Sequence, residues 1–533
     1  GNWPERSFEE RIVGARRAIE DGLAEELYGE DLLHVVIDEV QDLVGDRREP
    51  VEALLGRFDC GFTVVGDPAQ SIYGFTVPDA ERRAGEANRF FVRLRDMFGE
   101  GLIELHLSGN FRADTEEART ALSYGPLLCR MTETGADDGA RLYEDLRAEL
   151  HGRLDLGELD AYVCESLKGY DGTTAILCRT NGQALSISER LAAHGVAHRL
   201  QRSAQERVAP SWLGLLFRAA EGTVLSRGRF DELVSFLPLP EDTVPDRLWR
   251  SLLRAGGGRG GDRSIDLGML RTALATGRLP DELTAQPPAG LVVSSFHRVK
   301  GLEFDRVVIA DPGPLQEAFK GKGRSGKAQD TDPAEEARLL YVAMTRPRRD
   351  LFWIDAPASR FIRIAQEIPR WGRYAVERWA RRGLEILGGD VHTDQPAGMH
   401  CFDADAVELQ EYLATKVLPG DEVVLDRLHP VAIEFGQSPP YLIMHGGRPI
   451  GIVSERFRSH LYRFMGGRPG FEPRTWPRRI TGVRIDAVET VAGSRAVGEQ
   501  ARLGPHGVWL APRLVGLSRF VYEKQEDADV PAR

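Results

Sequence analysis

Cysteine is scarce and dispersed in this 533-residue chain: Cys60, Cys129, Cys164, Cys178 and Cys401 form no CxxC pair and no Cys/His cluster. That spacing argues against a disulfide framework or a zinc site and fits a reducing cytoplasm. No run of about 18 apolar residues occurs, so no segment is expected to span a membrane. The opening residues lack the charged and apolar blocks of a secretory signal. An excess of basic charge is missing as well, with 69 Lys and Arg against 81 Asp and Glu, a net charge of −12. This disfavours a protein that coats nucleic acid through bulk charge. A local basic groove stays open, because phosphate contact depends on where Lys and Arg sit.

What is present is the composition of folded domains, 42% hydrophobic and 28% charged. The length suits roughly three to four domains at ~150 residues each. Phe8, Ile12, Val13, Ala15, Ile19, Leu23 and Leu27 fall near helical spacing and predict a helix over 5–28, with a second, charged helix over 80–98. HVVI (34–37), FTVV (62–65), ELHL (104–107), TTAILC (173–178), LVVSSF (291–296) and RVVIAD (306–311) read as strands. EEARLLYVAM (335–344) is apolar almost all round, which predicts a buried helix. Residues 219–289, with AGGGRGGD at 255–262, read as an inserted, partly flexible subdomain. From about residue 400, EVVLD, VAIEF, YLIMHGGRPIGIVS and RITGVRIDAV predict antiparallel strands, with Gly446-Gly447 as a hairpin turn.

Two stretches carry chemistry. VIDEVQD (36–42) is an apolar strand ending in paired acids. Asp38 is suited to hold Mg²⁺, directly or through water, and Glu39 to polarise an attacking water, as phosphoryl transfer requires. The plain alternative is a solvated strand end. VVGDPAQSIYGF (64–75) ends a strand in a turn bearing Gln70, Tyr73 and Phe75. Gln can report a γ-phosphate by hydrogen bonding, and exposed rings can stack on bases for ~1–3 kcal/mol each. The alternative there is a turn followed by core aromatics.

Together these stretches resemble motifs II and III of the UvrD/Rep/PcrA-type superfamily 1 DNA helicases. LSGNFR (107–112) resembles motif IV, and AILCRTN (175–181) resembles the element after it. SSFHRVKGLEFDRVVI (294–309) is similar to motif V, and EEARLLYVAMTRPRRDL (335–351) to motif VI. The matches run in family order across residues 34–352. The resemblance implies an α/β fold of RecA-like P-loop NTPase lobes, the first incomplete and the second complete, followed by a β-rich C-terminal domain. ATP would lie between the lobes and single-stranded DNA, or DNA with a single-stranded tail, across their tops. Asp38 would be the Mg²⁺ ligand, Glu39 the catalytic base, and Gln70 the link between γ-phosphate and DNA. Arg112 and Arg346 would reach the γ-phosphate, Arg346 as an arginine finger, and Glu303 would contact the nucleotide's sugar. Tyr73 and Phe75 would stack on bases, with Arg179, Asn181, His297 and Lys300 along the DNA path. Structural alternatives stand beside some of these: His297 as a residue coupling the lobes, Lys300-Gly301 as a tight turn, and Arg338 as an ion-pair partner. The arginines at 360, 363, 370, 373, 378, 381 and 382 read first as a solvated helix face and second as a DNA-backbone contact.

The expected domains are 1–100 and 101–218 for the first lobe and the start of the second, then a reduced 2B-like insert at 219–289. The second lobe resumes over 290–390, and a β-rich domain at 400–533, read as a small barrel, is open to a protein partner. Mild departures from the family are Phe111 for Tyr, Phe75 for Trp and Ser295 for Thr. The large departure is the phosphate loop. The family places its Gln motif, GxxxxGK[ST] and motif Ia before the acid pair, and the 37 residues before Asp38 contain none of them. Gly321–Ala328 fits GxxxxGK but ends in Ala328, which cannot ligate Mg²⁺. The expectation is a UvrD-like ATP-dependent helicase, 3′ to 5′ by resemblance, whose phosphate loop comes from upstream sequence or a partner. On that view the chain alone is inactive. The alternative is a non-hydrolysing nucleic-acid-binding or scaffold subunit on a degenerate helicase fold.

Overall fold

The computed structural model describes residues 8–28, 32–74, 77, 86–107, 109–131, 136–203, 206–240, 243–259, 263–315, 332–357, 362–365, 368–375, 380–399, 402, 404–432, 434–466, 473 and 475–523. The chain divides into two compact units. The first comprises 1–163, 169–180 and 294–356, and the second 164–168, 181–293 and 357–533. No helix among the described residues is long and apolar enough to cross a membrane.

The first unit holds parallel strands, as short β-branched runs between helices predict. His34–Ile37 pairs with Gly61–Val64 in register His34↔Gly61 to Ile37↔Val64. A second parallel set runs in the order Leu154–Asp155, Pro347–Ile354, Phe304–Ala310, Thr174–Cys178. Thr174–Cys178 is buried along its whole length, which explains its unbroken apolar sequence. The helix Pro333–Met344 is buried from Glu336 to Met344 and packs on Ala136–His151. Gly139 makes that contact possible, since a Cβ there would lie 2.7 Å from the Ala334 nitrogen. Arg147 ties the same helix to the end of a central strand through a bidentate pair with Asp311 at 2.8 and 2.6 Å.

Local departures from the sequence reading have local causes. The helix predicted over 5–28 is two, Phe8–Glu20 and Leu23–Tyr28, broken at Gly22, whose φ of 82° an interior helical residue cannot adopt. The second predicted helix begins at Glu86 among the described residues. ELHL is not a strand. Residues 102–107 pair with no described strand, and Leu105 and Leu107 are 85% and 94% exposed. An alternating sequence makes a strand only where a neighbour takes up its backbone groups.

The second unit is built on an antiparallel sheet. Its order is Ile362–Ile364, Trp371–Tyr374, Arg381–Ile386, Val508–Leu517, Arg479–Ala492, Glu422–Arg427, Tyr441–His445, Arg448–Ile452, with Arg519–Val521 also on Arg479–Ala492. Among the described residues the first and last strands of this order do not pair with each other, where the sequence suggested a small barrel. Gly446 and Gly447 turn the hairpin with φ of 54° and 81°, as read. VAIEF is not a strand. Its described residues form bends and turns, and Phe435 is exposed beside Gly436 (φ 78°). The insert carries a small sheet, Val224–Ser226, Ser264–Asp266 and Gly258–Arg259. Its Phe230, Leu252, Ile265 and Leu270 share a fully buried core with Leu213 and Leu216 of the preceding helix Ser211–Ala219.

The arginines after 360 are not a helix face. Among the described residues they fall in and around three strands that join the antiparallel sheet, although the segment was read with the second lobe. Arg370 is in the core. It grips Asp390 through two bonds of 2.6 Å, donates to the Glu385 carbonyl at 3.0 Å, and donates to His460 Nδ1 at 2.8 Å. Each partner of this pair is 1% exposed, so removing one leaves an uncompensated buried charge. Arg370→Met should therefore lower the unfolding free energy in urea by about 3–5 kcal/mol. The double variant Arg370→Met/Asp390→Leu should recover much of that loss.

Candidate nucleotide and nucleic-acid site

The paired acids sit where the strand His34–Ile37 ends, in the first unit. Asp38 accepts the Glu39 backbone N–H at 2.8 Å, and Glu39 takes the left-handed conformation, φ 54° and ψ 38°. A glutamate held there is strained. Gln41 is buried and donates to Glu39 Oε2 at 2.5 Å. Gln41 Oε1 accepts the backbone N–H of Asp67 at 3.0 Å, across to the end of the second strand. Asp67 caps the turn Pro68–Gln70 through Ala69 and accepts from Gln70 Nε2 at 2.8 Å. Gln70 Oε1 in turn accepts from Arg346 at 3.1 Å. An unbroken hydrogen-bonded path thus runs from Glu39 to Arg346.

Arg346 follows the buried helix and is itself 1% exposed. It donates to the Val342 carbonyl at 2.9 Å and to Thr345 Oγ1 at 3.2 Å. Burial, with the Arg112 charge adding to it, pulls the Arg346 pKa down to about 10. Arg112 donates to Glu303 at 2.6 Å and to the Thr345 carbonyl at 3.3 Å. Glu303 also accepts from Arg348 at 3.1 Å. The Arg112 guanidinium, opposed by partial burial and helped by Arg348, holds the Glu303 carboxyl below its ordinary range. Arg112, Glu303 and Arg346 are therefore brought together.

Lys300, read along the DNA path, turns its ammonium to the acids. It pairs with Asp42, lies 3.4 Å from Glu39 and sits 5.5 Å over the Tyr73 ring. Gly301 has φ 79°, the tight turn that Lys300-Gly301 suggested. Burial raises the Asp42 pKa against the pull of Lys300. Arg179, also read along the DNA path, grips the buried Glu336 through two bonds of 2.6 and 2.5 Å. Asn181 opens the helix Asn181–Ala193. Arg338 forms no ion pair with any described residue, contrary to the ion-pair reading, and its Nε is buried without a hydrogen bond. Phe75 and the loop Gly321–Ala328 lie outside the described residues. Gln41, Asp42 and Glu336 are the residues the motif reading left without roles. Their signal was present for Gln41 and Asp42, which close VIDEVQD.

Among the described residues no group of three or more His, Cys, Asp or Glu side chains is placed to hold a metal. That excludes an all-protein cage there, but Mg²⁺ is commonly held by one or two carboxylates with substrate phosphates and water. The exposed Asp38 fits that donor set.

Burial, reinforced by the Arg179 charge, lowers the His297 pKa to about 4. The folded chain therefore resists charging this ring, and the unfolded chain takes up the proton first. Its contribution to stability is complete above about pH 6.5 and declines as pH falls toward about 4, by at most about 3 kcal/mol. Urea unfolding across that range should show the decline, and His297→Gln should make it shallower.

Two family matches correspond to this geometry. Residues 7–83 match the UvrD/REP helicase N-terminal domain, and residues 271–356 match the UvrD-like helicase C-terminal domain. Among solved structures, the chain is similar to the C-terminal domain of a possible DNA helicase from Lactobacillus plantarum WCFS1. The identity is 15%, over 40% of this chain and 84% of that one, with a TM-score of 0.18, too loose to bear on the fold. No curated protein matches the chain.

Proposed function

We propose that this chain, whose residues 7–83 and 271–356 match UvrD-type helicase domains, is a UvrD-like DNA helicase that couples ATP hydrolysis to movement along single-stranded DNA, in the 3′ to 5′ direction. The observation that carries this reading is the hydrogen-bonded path from Glu39 through Gln41, Asp67 and Gln70 to Arg346. It links the side chain suited to polarise water with the one suited to meet γ-phosphate charge.

In this reading the two parallel sets of strands in the first unit are RecA-like lobes. Asp38 would hold Mg²⁺, which would supply neutralisation of phosphate charge and orientation of the phosphates. Glu39, fixed by Gln41 and flanked by Lys300, accepts a proton from the attacking water. Arg346 and Arg112 stabilise charge at the transferred group, and the Glu303 carboxylate aligns Arg112. Gln70 carries the state of that site toward Tyr73 and the DNA. No GxxxxGK[ST] occurs in these 533 residues, so a loop from outside them completes the β-phosphate contact.

Phosphate release stimulated by single-stranded DNA tests this. The purified chain should give little, and the chain in its native assembly should turn over. In that assembly Arg346→Ala should lower kcat by about 10³–10⁵-fold. Glu39→Gln should abolish turnover while leaving DNA binding intact. Unchanged hydrolysis with Glu39→Gln sinks the reading and leaves a non-hydrolysing subunit in its place.

A further inference from the structure

A cleft of about 370 Å³ lies wholly within the second unit, between the helix Asn181–Ala193 and strands of the antiparallel sheet. Arg190, Arg373, Arg382 and Arg519 line it against a single carboxylate, Glu189. Glu189 accepts from Arg373 at 2.6 Å and from Arg519 at 2.7 Å. Arg190 and Arg382 form no ion pair with any described residue. Four guanidiniums around one acid, on a chain of net charge −12, repel one another unless an anion joins them. Their planar forks match phosphate oxygens in a bidentate manner. Tyr374 is buried and has the Arg363 guanidinium 4.6 Å from its ring centroid, so the cleft offers no open ring for base stacking.

From this geometry we infer that the cleft binds the phosphate backbone of a nucleic-acid strand, without regard to sequence. None of its residues takes part in the ATP-coupled path, so the site is separate from the one proposed above. It also accounts for part of the arginine-rich run after residue 360, whose sequence alone favoured a solvated helix face.

Fluorescence anisotropy with a labelled single-stranded oligonucleotide on the full chain tests the inference, with matched thermal melts for every variant. Arg190→Gln/Arg382→Gln should weaken binding and flatten the plot of log K against log salt by about 1.4, for two phosphates lost at ~0.7 each. The wild-type advantage should therefore shrink about sevenfold between roughly 50 and 200 mM salt. An abasic strand should show the same change in slope. Glu189→Gln, which removes the competing acid, should tighten binding. An unchanged slope in the double variant, or weaker binding with Glu189→Gln, overturns the proposal. Inorganic tripolyphosphate bound by the wild type and lost in the double variant, with the DNA slope unchanged, overturns the nucleic-acid assignment in favour of a free polyphosphate.

Discussion

A buried guanidinium organises the first unit. Arg346 has almost no contact with solvent, and a charge in that position persists only where polar partners replace the lost water. Its partners are the Val342 carbonyl, Thr345 and Gln70. The first two fix the end of the helix Pro333–Met344. The third seats that helix end on the turn Pro68–Gln70, whose Asp67 is bonded in turn to Gln41 and Gln70. At the other end of the same helix Glu336 is equally buried and is answered by Arg179. A helix buried on nearly every side has little preferred rotation from apolar packing alone. Two buried charges, each with a specific partner, give it one.

The same constraint explains how two residues read along the DNA path are held. Lys300 and Arg179 are cations close to buried or half-buried carboxylates, Asp42 and Glu336. Leaving those acids unpaired costs more than exposing a lysine or an arginine gains, so the pairs form. Lys300 thereby joins the acid cluster around Glu39, and the tight turn at Gly301 delivers it there.

The second unit divides its arginines by a similar rule. Arg370 is buried with four polar contacts around it and serves the core. Arg373, Arg382 and Arg519 stand at the cleft, where one glutamate cannot balance them. In sequence Arg370, Arg373 and Arg382 belong to one basic run with no visible distinction between them. Burial separates them, because the antiparallel pairing of Ile362–Ile364, Trp371–Tyr374 and Arg381–Ile386 decides which positions face inward.

Sequence by itself determined the short strands, the acid pair at a strand end, the largely apolar buried helix, the GlyGly hairpin and the order of the motifs that resemble those of UvrD-type helicases, but not burial, since His34–Ile37 and Gly61–Val64, read as buried, alternate between exposed and partly buried positions. Each rests on local periodicity or on residue types a few positions apart, and these survive in any fold that buries the same faces. Tertiary structure decided the partners. Gln70 and Arg346 are 276 residues apart, and Asp42 and Lys300 are 258. ELHL and VAIEF had the alternation of strands, yet no described strand pairs with either. A side chain's pattern states how much water it can lose. Which group replaces that water depends on what the fold brings within about 3 Å, and no local pattern carries that distance.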